Sequence, residues 1–434
     1  MNESTPAMDV PPARLRTDVF LTLGGKVSSL LLGLGIVVVV ARELGPSGQG
    51  LFAVAFSLTL VLVHLGGLGV TSANPYFAAR ERELRPSIVT NSLWLAGVLG
   101  FALVGVGILL KLVAPGLVEG VGWTALLVAL AGIPAALAAL FLQSILLGEG
   151  RVVAYNAVEV AQFALTLAAI AVGFWVFDFQ VTGALAVVTG SRFGAALTYF
   201  ILFARRGPWL ARPDRALARR MLGYGLRAYV AIVVSYLVIR VDLLLVNAYL
   251  GSQEAGLYSV TATIADGMFV LPMVVGINLF PRVARGDPAE ATAEVLGALA
   301  VLYGLLCLMT VPLAGPGIRL VFGEAFEGSV SLYYWLLPGI YCLGLLTLLA
   351  HHFAGRGYPI GAVAVWPVGL ALNVALNVLF LPGRGAWVAA FASSLTYALL
   401  LVLHIRLFAQ ELGGYDRLWP RPRAIARLVR GALG

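Results

Sequence analysis

Ionisable side chains stand in stretches of the sequence that are otherwise apolar: the cations Lys26, Arg192, Arg227 and Arg240, and the carboxylates Glu159, Asp242 and Asp266. A charge surrounded by hydrocarbon costs about 3 kcal/mol or more, so each must face a wet cavity or a partner. Cations strung along a path across a bilayer suit the binding of a phosphorylated anion, which Arg can hold through paired hydrogen bonds. Carboxylates at that depth suit the reversible binding of a coupling ion, H+ or Na+. For Lys26 and Arg227 the alternative is to reach back to the membrane surface along their own stems.

Residues three and four apart share a helix face. That spacing aligns Tyr155, Glu159, Gln162 and Thr166, then Ser259, Thr263 and Asp266, and then Trp366, Asn373 and Asn377. Such stripes suit the hydroxyls of a sugar in a shared cavity. Contacts between helices use the same groups, and for Asn373 and Asn377 both readings stay open. At about 100° per residue, Arg240 points nearly opposite Asp242, so these two are not expected to pair, and Asp242 is free to meet a charge on another helix.

Other chemistries lack their residues. The stretch GGKVSS around Lys26 has neither the spacing of a phosphate loop nor a Ser or Thr after the Lys, so no ATP hydrolysis is expected. His351 and His352 adjoin one another, and His64 and His404 stand alone; these read as interfacial histidines, not metal ligands. Neither a metal nor an organic cofactor is expected. Cys307 and Cys342 both lie in apolar runs and make no disulfide framework.

The chain that carries these groups has 434 residues, 60% apolar and only 12% charged. Soluble domains hold roughly 25% charged residues, so its solvent is lipid, and a soluble enzyme is excluded. Each span needs about 20 residues to cross roughly 30 Å of hydrocarbon. Apolar windows place spans near 19–41, 50–73, 88–110, 121–147, 154–177, 182–204, 223–248, 256–280, 294–313, 331–352, 360–381 and 386–405. The expected fold is an all-α polytopic membrane protein of about twelve spans. Connections this short leave no room for the outer domain that an embedded glycosyl-transfer enzyme would use, and the segment around Arg319, Glu324 and Glu327 is the only polar outer stretch to consider.

A formal charge of +8 would suggest nucleic acid in a soluble protein; in a polytopic one it reports topology, and no nucleic-acid partner is expected. With the N-terminus inside, Arg14, Arg16, Arg80, Arg85, Arg151, Arg282, Arg356 and the basic segment 205–220 all fall in the cytoplasm, whereas Arg42, Lys111, Arg319 and Arg384 fall outside. Both termini are therefore expected to be cytoplasmic, in a plasma (inner) membrane. The domain plan is a disordered tail over 1–18, a lobe over 19–204, a basic amphipathic linker helix over 205–222, a second lobe over 223–405, and a basic amphipathic tail over 406–434. The linker and tail either bind the anionic leaflet of the phospholipid bilayer or only set topology.

An internal repeat ties the lobes together. Gly45, Gly50, Leu51, Phe52 and Val54 match Gly251, Gly256, Leu257, Tyr258 and Val260, and the register runs on without a gap to Pro75 and Pro281. With six spans between copies, both lobes enter the membrane in the same direction. They should be related by a pseudo-twofold axis along the membrane normal, with the substrate site between them.

At the segments ARELGPSGQGLFAVAF, GLGVTSANPYFAAR, IRVDLLLVNAYLGSQEAGLYSVT, INLFPRVAR and LNVALNVLFLPGRGAWVAAFASSLTY the chain resembles the oligosaccharide flippase branch of the multidrug, oligosaccharidyl-lipid and polysaccharide exporter superfamily. The resemblance implies two six-helix bundles in a V around a central cavity. It also implies a polyprenyl-diphosphate-linked sugar, moved to the outer leaflet for surface polysaccharide synthesis, with a polysaccharide polymerase and glycosyltransferases as candidate partners. Relatives that flip the peptidoglycan precursor typically have fourteen spans, which argues against that role here. The expected cargo site is Lys26, Arg192, Arg227, Arg240, Gln162, Asn373 and Asn377, and the coupling-ion candidates are Glu159, Asp242 and Asp266. The alternatives are a cation-coupled multidrug exporter and a membrane-embedded glycosyl-transfer enzyme.

Overall fold

The computed structural model of the chain describes residues 12–205 and 211–418, with the backbone alone for 12–20, 82, 226–228 and 417. Hydrocarbon offers no hydrogen-bond partner to a bare peptide group, so apolar runs of this length close their bonds internally as helices. Helix α1 (Pro12–Gly66) is divided by Gly45, at φ 64° and ψ −176°, so that residues 12–44 cross and 46–66 return. Helix α2 (Val70–Arg80) completes the return. Then follow α3 (Arg85–Val113), α4 (Trp123–Ala131) with α5 (Ile133–Gly148) as one crossing, α6 (Val152–Phe177) and α7 (Val181–Ala204).

The second lobe opens with α8 (Arg215–Leu250). Helices α9 (Ser252–Met268) and α10 (Val270–Ala284) form one crossing bent by 42°. It is completed by α11 (Ala289–Phe322), α12 (Gly328–Gly355), α13 (Ile360–Phe380) and α14 (Trp387–Leu412). Among the described residues ten helices are long and apolar enough to span, the bent pair adds an eleventh, and the turn at Gly45 splits the first, giving twelve crossings.

The repeat is a repeat of backbone geometry. Gly251 turns the chain between α8 and α9 at φ 83° and ψ 178°, matching Gly45, and a positive φ at both points favours glycine. Beyond each turn the copies meet. A Cβ on Gly50 would lie 1.8 Å from the Ser252 carbonyl oxygen, and one on Gly256 would lie 1.9 Å from the Pro46 carbonyl oxygen. This reciprocity, each copy touching the other with the same residue, is what a twofold relation demands.

Two parts of the domain plan read differently in the fold. Residues 12–18 belong to the first turns of α1 rather than to a disordered tail. Residues 215–222 are not a separate surface helix: they begin the continuous α8, capped by Asp214, whose Oδ1 accepts from the amides of Ala216 (2.8 Å) and Leu217 (3.1 Å). Their apolar side, Leu217 and Met221, is buried in protein. The strand of chain before the cap docks on α3, where Asn91 exchanges hydrogen bonds of 2.9 and 3.0 Å with the backbone of Asp214. The amphipathic tail from 419 onward lies outside the described residues.

The lobes touch along two seams. Along the first, the end of α1 and α2 lie against α8: His64 stacks on Tyr236 with ring centroids 3.6 Å apart, Tyr76 stacks on Tyr224 at 4.4 Å, and Arg220 pairs with Glu81 at 2.6 Å. Along the second, Ala41 packs with Val260, Ile318, Phe322 and Phe326 near the Gly45 end of the molecule. Towards the side where α1 begins, this second seam parts. Leu23 and Val27 face Val270, Leu271, Val274 and Leu306 across an apolar groove of about 420 Å³.

A candidate site between the lobes

A cavity of about 790 Å³ lies between the lobes, and Lys26, Glu159, Gln162, Arg192, Arg240 and Asp266 all line it. It shares Gly267, Met268, Val270 and Thr310 with the apolar groove, so the two adjoin. Two of the three polar stripes face it, the first without Tyr155: Glu159, Gln162 and Thr166 of α6, and Ser259, Thr263 and Asp266 of α9.

Lys26 is placed by close packing of α1 on α6. Gly25, Gly33 and Gly35 on α1 lie against Asn156, Phe163 and Leu167 on α6, and side chains there would push the helices apart. The Lys26 ammonium donates to both Glu159 oxygens at 2.7 and 2.8 Å and lies 5.2 Å from the centre of the Tyr155 ring. Glu159 also accepts from Gln143 Nε2 at 2.9 Å.

Arg240 on α8 donates to Asp266 of α9 at 2.7 Å and lies over the Tyr236 ring at 5.9 Å. Its buried Nε–H has no acceptor.

Arg192 on α7 is different. It is 7% exposed, and among the described residues the one oxygen its two terminal nitrogens reach is Thr59 Oγ1, at 3.3 Å from each; its planar group lies 5.4 Å from the centre of the Phe56 ring. Among the described residues no carboxylate pairs with it.

These contacts revise the expected ladder of free cations. Lys26 and Arg240 each carry a carboxylate, because an unpaired charge in a largely apolar enclosure is costly. With Lys26, Arg192 and Arg240 against Glu159 and Asp266, the lining has a formal charge of +1. The side chain of Arg227 lies outside the described residues.

Asn373, Asn377 and Asp242 do not line the cavity. They sit in the interior of the second lobe, where α13 packs on α8 and α14, one layer behind the lobe interface. Asp242 accepts from Tyr258 at 2.9 Å, from the Ser393 hydroxyl, and from Asn377 Nδ2 at 3.4 Å. Asn373 Nδ2 donates to Ser393 Oγ at 3.4 Å, and Asn377 Oδ1 is buried with no partner. The asparagines therefore serve a buried carboxylate and do not face the cavity. Tyr258 and Ser393 escaped sequence reading, although Tyr258 lies in the repeat; Phe56, Thr59 and Tyr236 had no local pattern to mark them. Elsewhere, Arg319 pairs with Glu327 on an exposed surface, which leaves that outer stretch as an ordinary ion pair.

Residues 15–286 match the family described as polysaccharide biosynthesis protein. No curated protein sequence matches the chain. Among solved structures, the fold is similar to the lipid II flippase MurJ in an inward closed conformation, with 13% identity over 89% of this chain and 87% of that one, at a TM-score of 0.73. It is also similar to an inward-facing multidrug resistance MATE family transporter of the MOP superfamily, at 16% identity, 91% and 98% coverage and a TM-score of 0.69. A MOP superfamily transporter from Pyrococcus furiosus is 17% identical over 92% and 96% of the two chains, with a TM-score of 0.63. At these identities the likeness is one of fold.

Proposed function

The chain belongs to the polysaccharide biosynthesis protein family, and we propose on that premise that it is a flippase moving a polyprenyl-diphosphate-linked oligosaccharide from the inner to the outer leaflet. It works by alternating access, with no ATP hydrolysis of its own. The observation that carries this reading is Arg192, a buried guanidinium without a carboxylate, aimed into a cavity that adjoins an apolar groove. A diphosphate supplies the oxygens that such a planar fork lacks. Gln162, Thr166, Ser259 and Thr263 offer donors and acceptors to sugar hydroxyls. The groove between Leu23 and Val274 lets a polyprenyl tail stay in hydrocarbon while its headgroup is enclosed.

The basic residues Arg80, Arg85, Arg151 and Arg356 cluster at the helix ends on the side where α1 begins, which supports a cytoplasmic position for that side and for both termini. Asp242 is the favoured position for a coupling ion: it is fully buried, meets no cation among the described residues, and has the unpartnered Asn377 Oδ1 on a neighbouring side chain, a set of oxygens that suits Na+ or H+. A membrane potential negative inside also favours anion export by about 2.3 kcal/mol per charge per 100 mV.

The multidrug reading would want a cavity that attracts cations, and the unpaired Arg192 opposes it. Proteoliposomes distinguish the two. The purified chain should move a polyprenyl-diphosphate oligosaccharide to the opposite leaflet and leave the accumulation of a cationic dye unchanged. Dye transport without lipid movement would select the multidrug reading, and a new glycosidic product would select the enzyme.

A further inference from the structure

Lys26 and Arg240 face the cavity with a carboxylate already on each, whereas Arg192 faces it with only a hydroxyl. Both ion pairs are internal to a lobe: Lys26 to Glu159 joins α1 to α6, and Arg240 to Asp266 joins α8 to α9. Neither holds the lobes together, so neither has to break for the lobes to rock. Their side chains are 18–33% exposed to the cavity, so an incoming solute can reach them.

We propose that Glu159 and Asp266 are built-in substitutes for the diphosphate of the cargo, holding Lys26 and Arg240 while the cavity is empty and giving them up when a diphosphate enters. The inference rests on the flippase reading and adds how that site is reset. An alternating carrier must return empty, and three bare cations would then be carried through a low-dielectric step. With the two carboxylates in place the empty lining holds a formal +1, and that remaining charge sits on Arg192.

Arg192 is therefore the standing attraction for an anion, and the other two cations are won by competition. The displaced groups keep polar surroundings: Glu159 retains the Gln143 donor at 2.9 Å, and the Asp266 side chain is one-third exposed. Arg240 also has a buried Nε–H without an acceptor among the described residues. Competition also sets selectivity. A monophosphate or a neutral lipid lacks the charge to displace both carboxylates, and on the far side their return drives the cargo off.

Binding of farnesyl diphosphate, farnesyl monophosphate and farnesol to the full chain in detergent tests this, alongside multi-turnover flipping in proteoliposomes. Asp266→Asn and Glu159→Gln keep the side-chain shape and lie in separate lobes, so a folding failure in one leaves the other. Thermal unfolding verifies each. Removing a competitor should tighten farnesyl diphosphate binding about fivefold while slowing repeated turnover, a fall in KM together with kcat. Equal or weaker binding by both variants would mean that the carboxylates merely position the cations, and the proposal is then wrong. Wild-type binding of farnesol as tight as that of the diphosphate would instead overturn the flippase reading itself.

Discussion

A guanidinium has five N–H donors, and among the described residues the Thr59 hydroxyl is the one oxygen that Arg192 reaches. Hydrogen bonds to a charged group contribute about 1.5–3 kcal/mol. Arg192→Ala should therefore weaken diphosphate binding by about tenfold to a hundredfold, whereas Arg192→Lys should keep part of it, because the charge survives and the fork does not. Equilibrium binding of farnesyl diphosphate to the three proteins decides it, and equal affinities would remove Arg192 from the site. Asp242 makes a different prediction. Asp242→Asn leaves the Tyr258, Ser393 and Asn377 neighbours but removes the charge. Transport by that variant should no longer respond to an imposed Na+ or pH gradient, and an unaltered response would exclude Asp242 from coupling.

At this scale the sequence shows which residues are charged at membrane depth but not what they touch. Lys26 and Glu159 are 133 positions apart, as are Thr59 and Arg192, and no local periodicity links them. The helical stripes on α6 and α9 do face the cavity, as their three-and-four spacing suggests. The stripe on α13 has the same spacing and turns into its own lobe, because spacing identifies a shared face without saying what that face meets.

Helices meet most closely where the repeat supplies glycine. Any side chain at Gly50 would overlap the Ser252 carbonyl, and any at Gly256 would overlap that of Pro46. Overpacking of this kind costs about 1–3 kcal/mol. Gly50→Val should lower the thermal unfolding midpoint and weaken transport together, and a variant with an unchanged midpoint would mean that the contact between Gly50 and Ser252 has room for a side chain. The repeat that locates these glycines is readable in the sequence because it is a match of residues at a fixed offset. The linker was not so readable. An amphipathic stretch such as 215–222 has the same pattern whether its apolar side meets lipid or protein, and only the Asp214 cap and the docking on Asn91 show that it opens α8.

The molecule as a whole is two lobes with one seam riveted and the other parted at one end. His64 on Tyr236 and Tyr76 on Tyr224 are rings stacked across the first seam, while Leu23 and Val274 face one another over a groove at the second. The proposed tail-bearing cargo would enter through the parted side. Cysteines in place of Leu23 and Val274, joined by a short bismaleimide, should halt lipid movement, with recovery when a cleavable linker is cut; undiminished transport would place the entrance elsewhere. The twelve-crossing plan follows from composition and span length, since hydrocarbon permits few other folds, and the two related lobes follow from the repeat. The parted seam does not, because it depends on how apolar side chains of separate helices pack against one another.

Arg192 is the proposed attraction that brings a diphosphate-linked lipid into the space between the lobes. The most direct measurement is the initial rate at which a fluorescent polyprenyl-diphosphate oligosaccharide crosses a proteoliposome bilayer, compared between wild type and Arg192→Ala at matched protein density. Movement by the wild type and a loss of about tenfold or more in the variant are expected. Equal rates in the two would contradict that role for Arg192.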